Sequence, residues 1–137
     1  MATTVTDTAR ITIDAPFEQV TSDLADPITH PEWATEFFSG QARTTSEQEV
    51  LANVPRMGGE VHMKVDGDPT TGRIDIYLAP LGVPFGPPLP VRVLPNGDGV
   101  DVLFTLARAP GLTDTEWEAG LASMQRELEN LKRRHEQ

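Results

Sequence analysis

The sequence predicts an α+β fold built from one antiparallel sheet, two short helices near the N-terminus and a long helix at the C-terminus. Three observations support this prediction. After position 40, several segments alternate apolar and polar residues, which is typical of strands with one buried face. Turn signals rich in glycine, asparagine and proline separate these segments. Residues 114–134 instead repeat their apolar side chains every three or four positions, as an amphipathic helix does.

The N-terminal part of the chain is predicted to form a strand and two helices. Residues 9–14 alternate apolar and polar side chains and predict the first strand. A helix is expected directly after it, because Pro16 suits a first helical turn and Asp26 before a proline ends the pattern. The apolar residues of this helix recur at helical spacing: Phe17, Val20 and Leu24. A second short helix is predicted over 31–38, with Trp33 on its apolar face.

The middle of the chain is predicted to form strands. Residues 41–54 give a weak signal for one strand and the start of another. Four clearer strands follow at 60–66, 73–78, 90–94 and 100–106. The last two are joined by a hairpin turn at 95–99, because Asn-Gly tolerates the positive φ of a tight turn. The proline-rich stretch 80–90 is predicted to be a loop, since proline cannot donate to a sheet.

Each clear strand has one apolar face, which we predict points to the core. Its members are Val61, Met63, Val65, Ile74, Ile76, Leu78, Val91, Val93, Val100, Val102, Phe104 and Leu106. The opposite face carries both charges and His62, and is predicted to be solvated and without function. No strand then supplies an inward titratable group for acid–base chemistry. His30 is predicted to be solvated in a loop, and no second histidine lies at metal-ligand spacing.

The C-terminal helix has the strongest signals. Thr113 and Glu116 match a capping box, in which each side chain bonds to the backbone of the other residue. An apolar stripe follows: Trp117, Leu121, Met124, Leu128 and Leu131. Cations at 132–134 suit the negative end of the helix dipole. Gly120 interrupts a good helical sequence at a cost of about 1 kcal/mol relative to alanine, which indicates either a close packing contact or a need for open space at this position.

Composition excludes several classes of protein. The chain has 137 residues, a length that predicts a single domain over 1–137. Its net charge of -10 argues against binding to nucleic acid or to an anionic membrane surface. Without cysteine there is no disulfide or thiolate site. No membrane-spanning run and no signal peptide is visible, so a cytoplasmic location is expected. Residues 66–77 lack the final glutamate of a calcium loop, and no cofactor or metal site is predicted.

Several short motifs along the chain add to this pattern. They are Ile13–Pro16, Ala25–Pro27 with Pro31–Trp33, Val54–Gly59, Pro95–Gly99, Val102–Leu106 and Pro110–Thr113. With the order of elements, they resemble the START/Bet v 1-like (SRPBCC) superfamily, in particular its bacterial polyketide cyclase/dehydrase-like and Hsp90-ATPase-activator-like members. The resemblance implies a helix-grip fold, in which a curved antiparallel sheet wraps around the C-terminal helix and encloses a cavity. None of the motifs is catalytic, so no catalytic residue is carried over.

The resemblance implies a cavity that holds lipids, sterols, polyketides or other apolar molecules. We therefore expect binding of a hydrophobic or aromatic small molecule by a monomer or homodimer. The expected ligand-binding residues are Trp33, Val61, Met63, Ile76, Phe104, Trp117, Gly120, Leu121 and Met124. A polyketide cyclase, aromatase or dehydratase using the same cavity is the alternative, and it would need at least two inward polar residues. A protein–protein adaptor would need a large exposed apolar patch.

Overall fold

The computed structural model describes residues 1–137 and contains one seven-stranded antiparallel sheet. The strands are β1 (Thr6–Ile13), β2 (Ser39–Thr44), β3 (Val50–Val54), β4 (Gly59–Asp68), β5 (Arg73–Pro80), β6 (Leu89–Asn96) and β7 (Gly99–Ala107). The helices are α1 (Phe17–Ala25), α2 (His30–Trp33) and α3 (Asp114–His135), with short 3-10 turns at Pro27–Thr29 and Pro55–Met57. The strand order β1-β7-β6-β5-β4-β3-β2 places β1 and β2 at the two edges. The predicted α+β helix-grip architecture is confirmed.

The predicted inward face of the sheet is confirmed. Its twelve residues are buried, apart from Val65, Leu78 and Leu106, which are partly buried against the same core. This apolar core also takes in Ile13, Trp33 and residues of α1 and α3. The alternation of the strands therefore sets the direction in which each side chain points.

The second predicted helix is wrong in its extent. α2 ends at Trp33, because the backbone of Ala34 leaves the helical region at φ -86 and ψ 59. Distant side chains of α3 take the backbone groups that would continue the helix. Glu127 accepts hydrogen bonds from the N–H groups at positions 36 and 37, and Asn130 donates to the Trp33 carbonyl. Tertiary hydrogen bonds thus replace the last helical turns that the apolar spacing predicted.

The two halves of α3 differ in how deeply they are buried. The predicted capping box is present, with the Thr113 hydroxyl and the Glu116 carboxylate each accepting from the other residue's backbone. Met124, Leu128 and Leu131 are buried, whereas Trp117 and Leu121 in the first half are partly exposed. The second half of α3 therefore packs into the core, and the first half borders open space. None of the helices combines the length and apolar character that a membrane crossing requires.

Side chains of α3 bond to the free edge of β1. Gln125 Nε2 donates to the Arg10 carbonyl at 2.9 Å, and Lys132 Nζ donates to the Thr12 carbonyl at 2.9 Å. Just beyond the strand, the Asp14 N–H donates to Glu136 Oε2 at 2.7 Å. These backbone groups point away from β7 and have no strand partner on that side. The helix is thereby fixed along the edge of the sheet as well as across its core.

A charged network joins the ends of α1 and α3. Asp23 receives two hydrogen bonds from Arg134, at 2.8 and 3.0 Å, and one from His135 Nε2 at 2.7 Å. Burial by itself would raise the pKa of Asp23, but the bonds from His135 and Arg134 outweigh it and hold that pKa well below its usual range. The carboxylate is therefore ionised and stabilises the C-terminal turn of α3.

The outer face of the sheet is covered near His62, which corrects the prediction that this face is wholly solvated. Residues 81–88 fold back over it, so His62 Nε2–H donates to the Val83 carbonyl at 2.7 Å. The His62 ring stacks on Phe85 with centroids 4.2 Å apart. Leu51 and Ala79, the cross-strand neighbours of His62, are buried without joining the main core. The alternation placed His62 on the outer face, but could not show that a proline-rich loop covers it.

Replacing His62 with alanine should reduce the free energy of unfolding by about 1–2 kcal/mol, more than the ~0.5 kcal/mol usual for a solvated residue. The loss combines one hydrogen bond, worth about 1 kcal/mol, with the aromatic stacking. Urea denaturation measures it. His62→Gln keeps an N–H donor without the ring and should lose less. An alanine variant as stable as the wild type would show that the 81–88 loop contributes nothing at this point.

Candidate functional site

A groove of about 700 Å³ opens between the first half of α3 and the end of β7. Its apolar floor consists of Leu106, Ala107, Ala109, Leu112, Trp117, Ala119, Gly120 and Met124. A Cβ atom added at Gly120 would meet nothing within 4 Å, so this glycine borders empty space rather than a close packing contact. The small residues at 119 and 120 are therefore one reason why the groove is open.

The rim of the groove is charged. Glu36 binds Arg126 through two hydrogen bonds, at 2.8 and 2.7 Å, and also accepts from the Ser123 hydroxyl. These bonds lower the pKa of Glu36 to about 2. Arg56 lies at the same rim and forms no ion pair within 4 Å. The rim thus places a paired and an unpaired arginine beside the apolar floor of the groove.

A smaller inner cavity of about 80 Å³ lies deeper, between the sheet, α2 and α3. Its walls are His30, Trp33, Ala34, Phe37, Phe38, Ile76, Leu78, Leu89, Phe104, Met124 and Glu127. Met124 and Glu127 line the groove as well, so their side chains form the partition between the two spaces. The inner cavity has room for only two or three water molecules at roughly 30 Å³ each.

Glu127 is the charged group at this partition, and only 4% of it is exposed. Its Oε2 accepts from the backbone N–H groups of Glu36 at 3.0 Å and Phe37 at 2.9 Å. Its Oε1 accepts no hydrogen bond from the protein. Burial raises the pKa of Glu127, although the two backbone hydrogen bonds act in the opposite direction. A buried carboxyl with one oxygen held and one unused is a candidate for contact with a ligand.

His30 also lines the inner cavity, which corrects the prediction that it is solvated. It is 2% exposed, and its Nε2–H donates to the Leu24 carbonyl at 2.7 Å. That carbonyl is in the last turn of α1, where backbone acceptors lack helical partners. Burial lowers the pKa of His30, which keeps the ring neutral. The histidine therefore caps α1 and presents its ring to the cavity wall.

Trp33 separates His30 from the sheet. Its indole ring packs edge-on against Phe104 at 5.7 Å between centroids, and against the His30 ring at 5.5 Å. Its Nε1 is buried and has no hydrogen-bond partner in the protein. An unpaired buried donor costs about 1–3 kcal/mol, so the inner wall holds an unmet polar requirement.

The expected ligand-binding residues are distributed over four places. Trp33, Ile76, Phe104 and Met124 line the inner cavity, and Trp117, Gly120 and Met124 line the groove. Val61 and Met63 are core residues that border neither space, and Leu121 lies partly exposed on α3 outside both. The sequence reasoning missed Glu127, because it looked for inward polar groups on the strands alone. A signal was available: Glu127 falls three residues after Met124 and four before Leu131, on the apolar stripe.

Comparison with known proteins identifies the fold. No protein-family model matches the sequence, and no curated protein matches it. Solved structures do match over almost the whole chain. A START superfamily protein from Mycobacterium smegmatis aligns with a TM-score of 0.67 and 13% identity, covering 96% of this chain and 97% of that one.

Two further structures agree with this match. The Aha1 dimer from Colwellia psychrerythraea aligns with a TM-score of 0.66 and 20% identity over 96% of each chain. The structure of Ara h 8.0201 aligns with a TM-score of 0.62 and 11% identity, covering 95% of this chain and 96% of that one. The protein therefore has the START/Bet v 1-like fold that the sequence motifs indicated.

Proposed function

We propose that the protein binds a hydrophobic or aromatic small molecule in the space between the sheet and α3. The observation that carries the proposal is the pair of neighbouring cavities, which share Met124 and Glu127 as lining residues. START/Bet v 1-like proteins typically bind hydrophobic ligands in this part of the fold, which supports the proposal. The groove has an apolar floor, and its volume lies within the ~300–1,000 Å³ that is usual for small-molecule sites.

Met124 is suited to act as the movable part of the partition. Methionine has three rotatable bonds and no branch, so its side chain changes rotamer at little cost. A ligand that displaces it gains access from the groove to the aromatic wall of Trp33 and Phe104. Affinity then comes from apolar area removed from water, at about 25 cal/mol per Å².

A polyketide cyclase, aromatase or dehydratase remains the second candidate. Its requirement for at least two inward polar residues is met by His30 and Glu127, which come from the helical part of the chain. His30 Nε2 is already engaged by the Leu24 carbonyl, which leaves its Nδ1 and the Glu127 carboxyl as the groups available for proton transfer. Native mass spectrometry of protein purified from its own host tests both candidates. Release of an unaltered apolar molecule supports binding alone, and conversion of that molecule during incubation supports the enzyme.

Replacing Gly120 with leucine should abolish uptake of an apolar fluorescent dye while the melting temperature holds or rises. The new side chain enters open space in the groove, and leucine is a better helix former than glycine by nearly 1 kcal/mol. Dye titration and thermal unfolding measure the two effects. Glu118→Leu, which adds the same side chain on an exposed part of α3 outside the groove, should leave dye uptake intact. A sharp fall in melting temperature with unchanged uptake would place the binding site elsewhere.

A further inference from the structure

The unused oxygen of Glu127 points to the chemistry of the ligand. Glu127 is buried and lines both cavities. Oε2 is occupied by two backbone donors, whereas Oε1 has no donor from the protein. Oε1 is also not sealed off, in contrast to the indole Nε1 of Trp33. Oε1 is therefore an accessible acceptor on a residue that lines both the groove and the inner cavity.

No side chain of the protein donates to Oε1, although Arg56 at the rim and Trp33 Nε1 in the inner wall are themselves unpaired. Arg126, the adjacent residue on α3, is held by both oxygens of Glu36. The inner wall around Glu127 is otherwise apolar, apart from His30 and Trp33, and His30 donates its Nε2–H to Leu24. Because Oε1 is not sealed off, it can accept a hydrogen bond from water or from a donor of a molecule bound in the groove.

We propose that Glu127 Oε1 accepts a hydrogen bond from a hydroxyl group of the bound molecule, and that the ligand is an aromatic or alicyclic compound with a hydroxyl at its inserted end. This inference rests on the proposed binding function. A hydroxyl has one O–H to donate, which matches one free oxygen. An ammonium group has three N–H donors and would leave two unpaired in an apolar cavity. A ligand carboxylate would face Glu127 with like charge.

The test compares two probes that differ only in the donor: naphthol, and the methyl ether of the same naphthol. Calorimetric titration of the full chain gives both affinities. Naphthol should bind at least about tenfold more tightly, the effect expected for one hydrogen bond to a charged acceptor. If neither probe binds, the proposed binding function fails. If both bind equally well, that function stands and the role of Glu127 is overturned.

Glu127→Gln sharpens the test because it changes one atom of the contact. The amide oxygen can still accept from the backbone of Glu36 and Phe37, while the amide NH₂ replaces Oε1 by a donor. The preference for naphthol should fall to about threefold or less. The affinity for the methyl ether should rise, because its oxygen can accept a hydrogen bond from the new amide N–H. Glu129→Gln, on an exposed part of α3, should keep the full preference. An unchanged preference in Glu127→Gln, or tighter binding of protonated naphthylmethylamine than of naphthol to the wild type, would overturn the assignment.

Discussion

Replacing Leu128 with alanine should lower the free energy of unfolding by about 2–5 kcal/mol. Leu128 is fully buried in the main core, at the point where the second half of α3 packs against the sheet. The sheet and the helix are tied together by hydrogen bonds on both sides of this position, so they cannot move in to fill the space that the deletion leaves. Urea denaturation of the wild type and of the variant measures the loss. The two transitions should have the same slope, so that the shift in midpoint reports stability alone.

Leu94 provides the matched control for this experiment. It is 48% exposed on β6, and its replacement with alanine should change stability by no more than about 0.5 kcal/mol. A loss below about 1 kcal/mol for Leu128→Ala would show that α3 is not packed into the core at this depth. The open part of the molecule would then extend further along the helix than the groove does.

Replacing Asp23 with alanine should cost about 2–3 kcal/mol near neutral pH, because it leaves Arg134 and His135 without their shared acceptor in a partly buried place. This figure is lower than for a fully buried pair, since solvent screens part of the interaction. Glu32→Ala is the control. It removes only an exposed contact of Arg134 at 3.1 Å and should cost about 0–1 kcal/mol.

The effect of Asp23 should depend on pH in a defined direction. Burial acts to raise the pKa of Asp23, but its hydrogen bonds to His135 and Arg134 hold it below the unfolded value of 3.8. A carboxyl with a depressed pKa adds stability above its unfolded pKa and loses it as pH falls toward the folded pKa. The difference in the free energy of unfolding between wild type and Asp23→Ala should therefore be largest near pH 7 and should shrink below about pH 4. A difference that stays constant down to about pH 2 would contradict this account.

The elements that the sequence predicted well are those decided by local rules. Alternation fixed the inward faces of β4 to β7, and the capping box fixed the start of α3. The end of α2 could not be predicted locally, because Glu127 and Asn130 bind backbone groups about 90 residues earlier in the chain. The burial of His62 could not be predicted locally either, because it depends on contacts with the 81–88 loop, which lies about 20 residues later in the chain.

The candidate site shows the same division. The apolar stripe of α3 and its glycine identified Trp117, Gly120 and Met124, which line the groove. Val61 and Met63 have the same alternation as Ile76, yet only Ile76 borders the inner cavity. The two-residue alternation along a strand distinguishes side chains on the core face from those on the outer face. It does not distinguish closely packed core positions from positions beside a cavity. That distinction depends on the curvature of the sheet and on neighbours distant in sequence.

The bonds between α3 and β1 have a consequence for encounters between molecules. The outer strand of an open sheet presents unpaired backbone groups to which a strand of another chain can add, a common route to aggregation. Here Gln125 and Lys132 occupy the carbonyls of Arg10 and Thr12, so an incoming strand would have to displace them from this edge. At the opposite edge, β2 is short and irregular in register, which makes it a poor template. The helix that closes the core thus also protects the protein against self-association through its sheet.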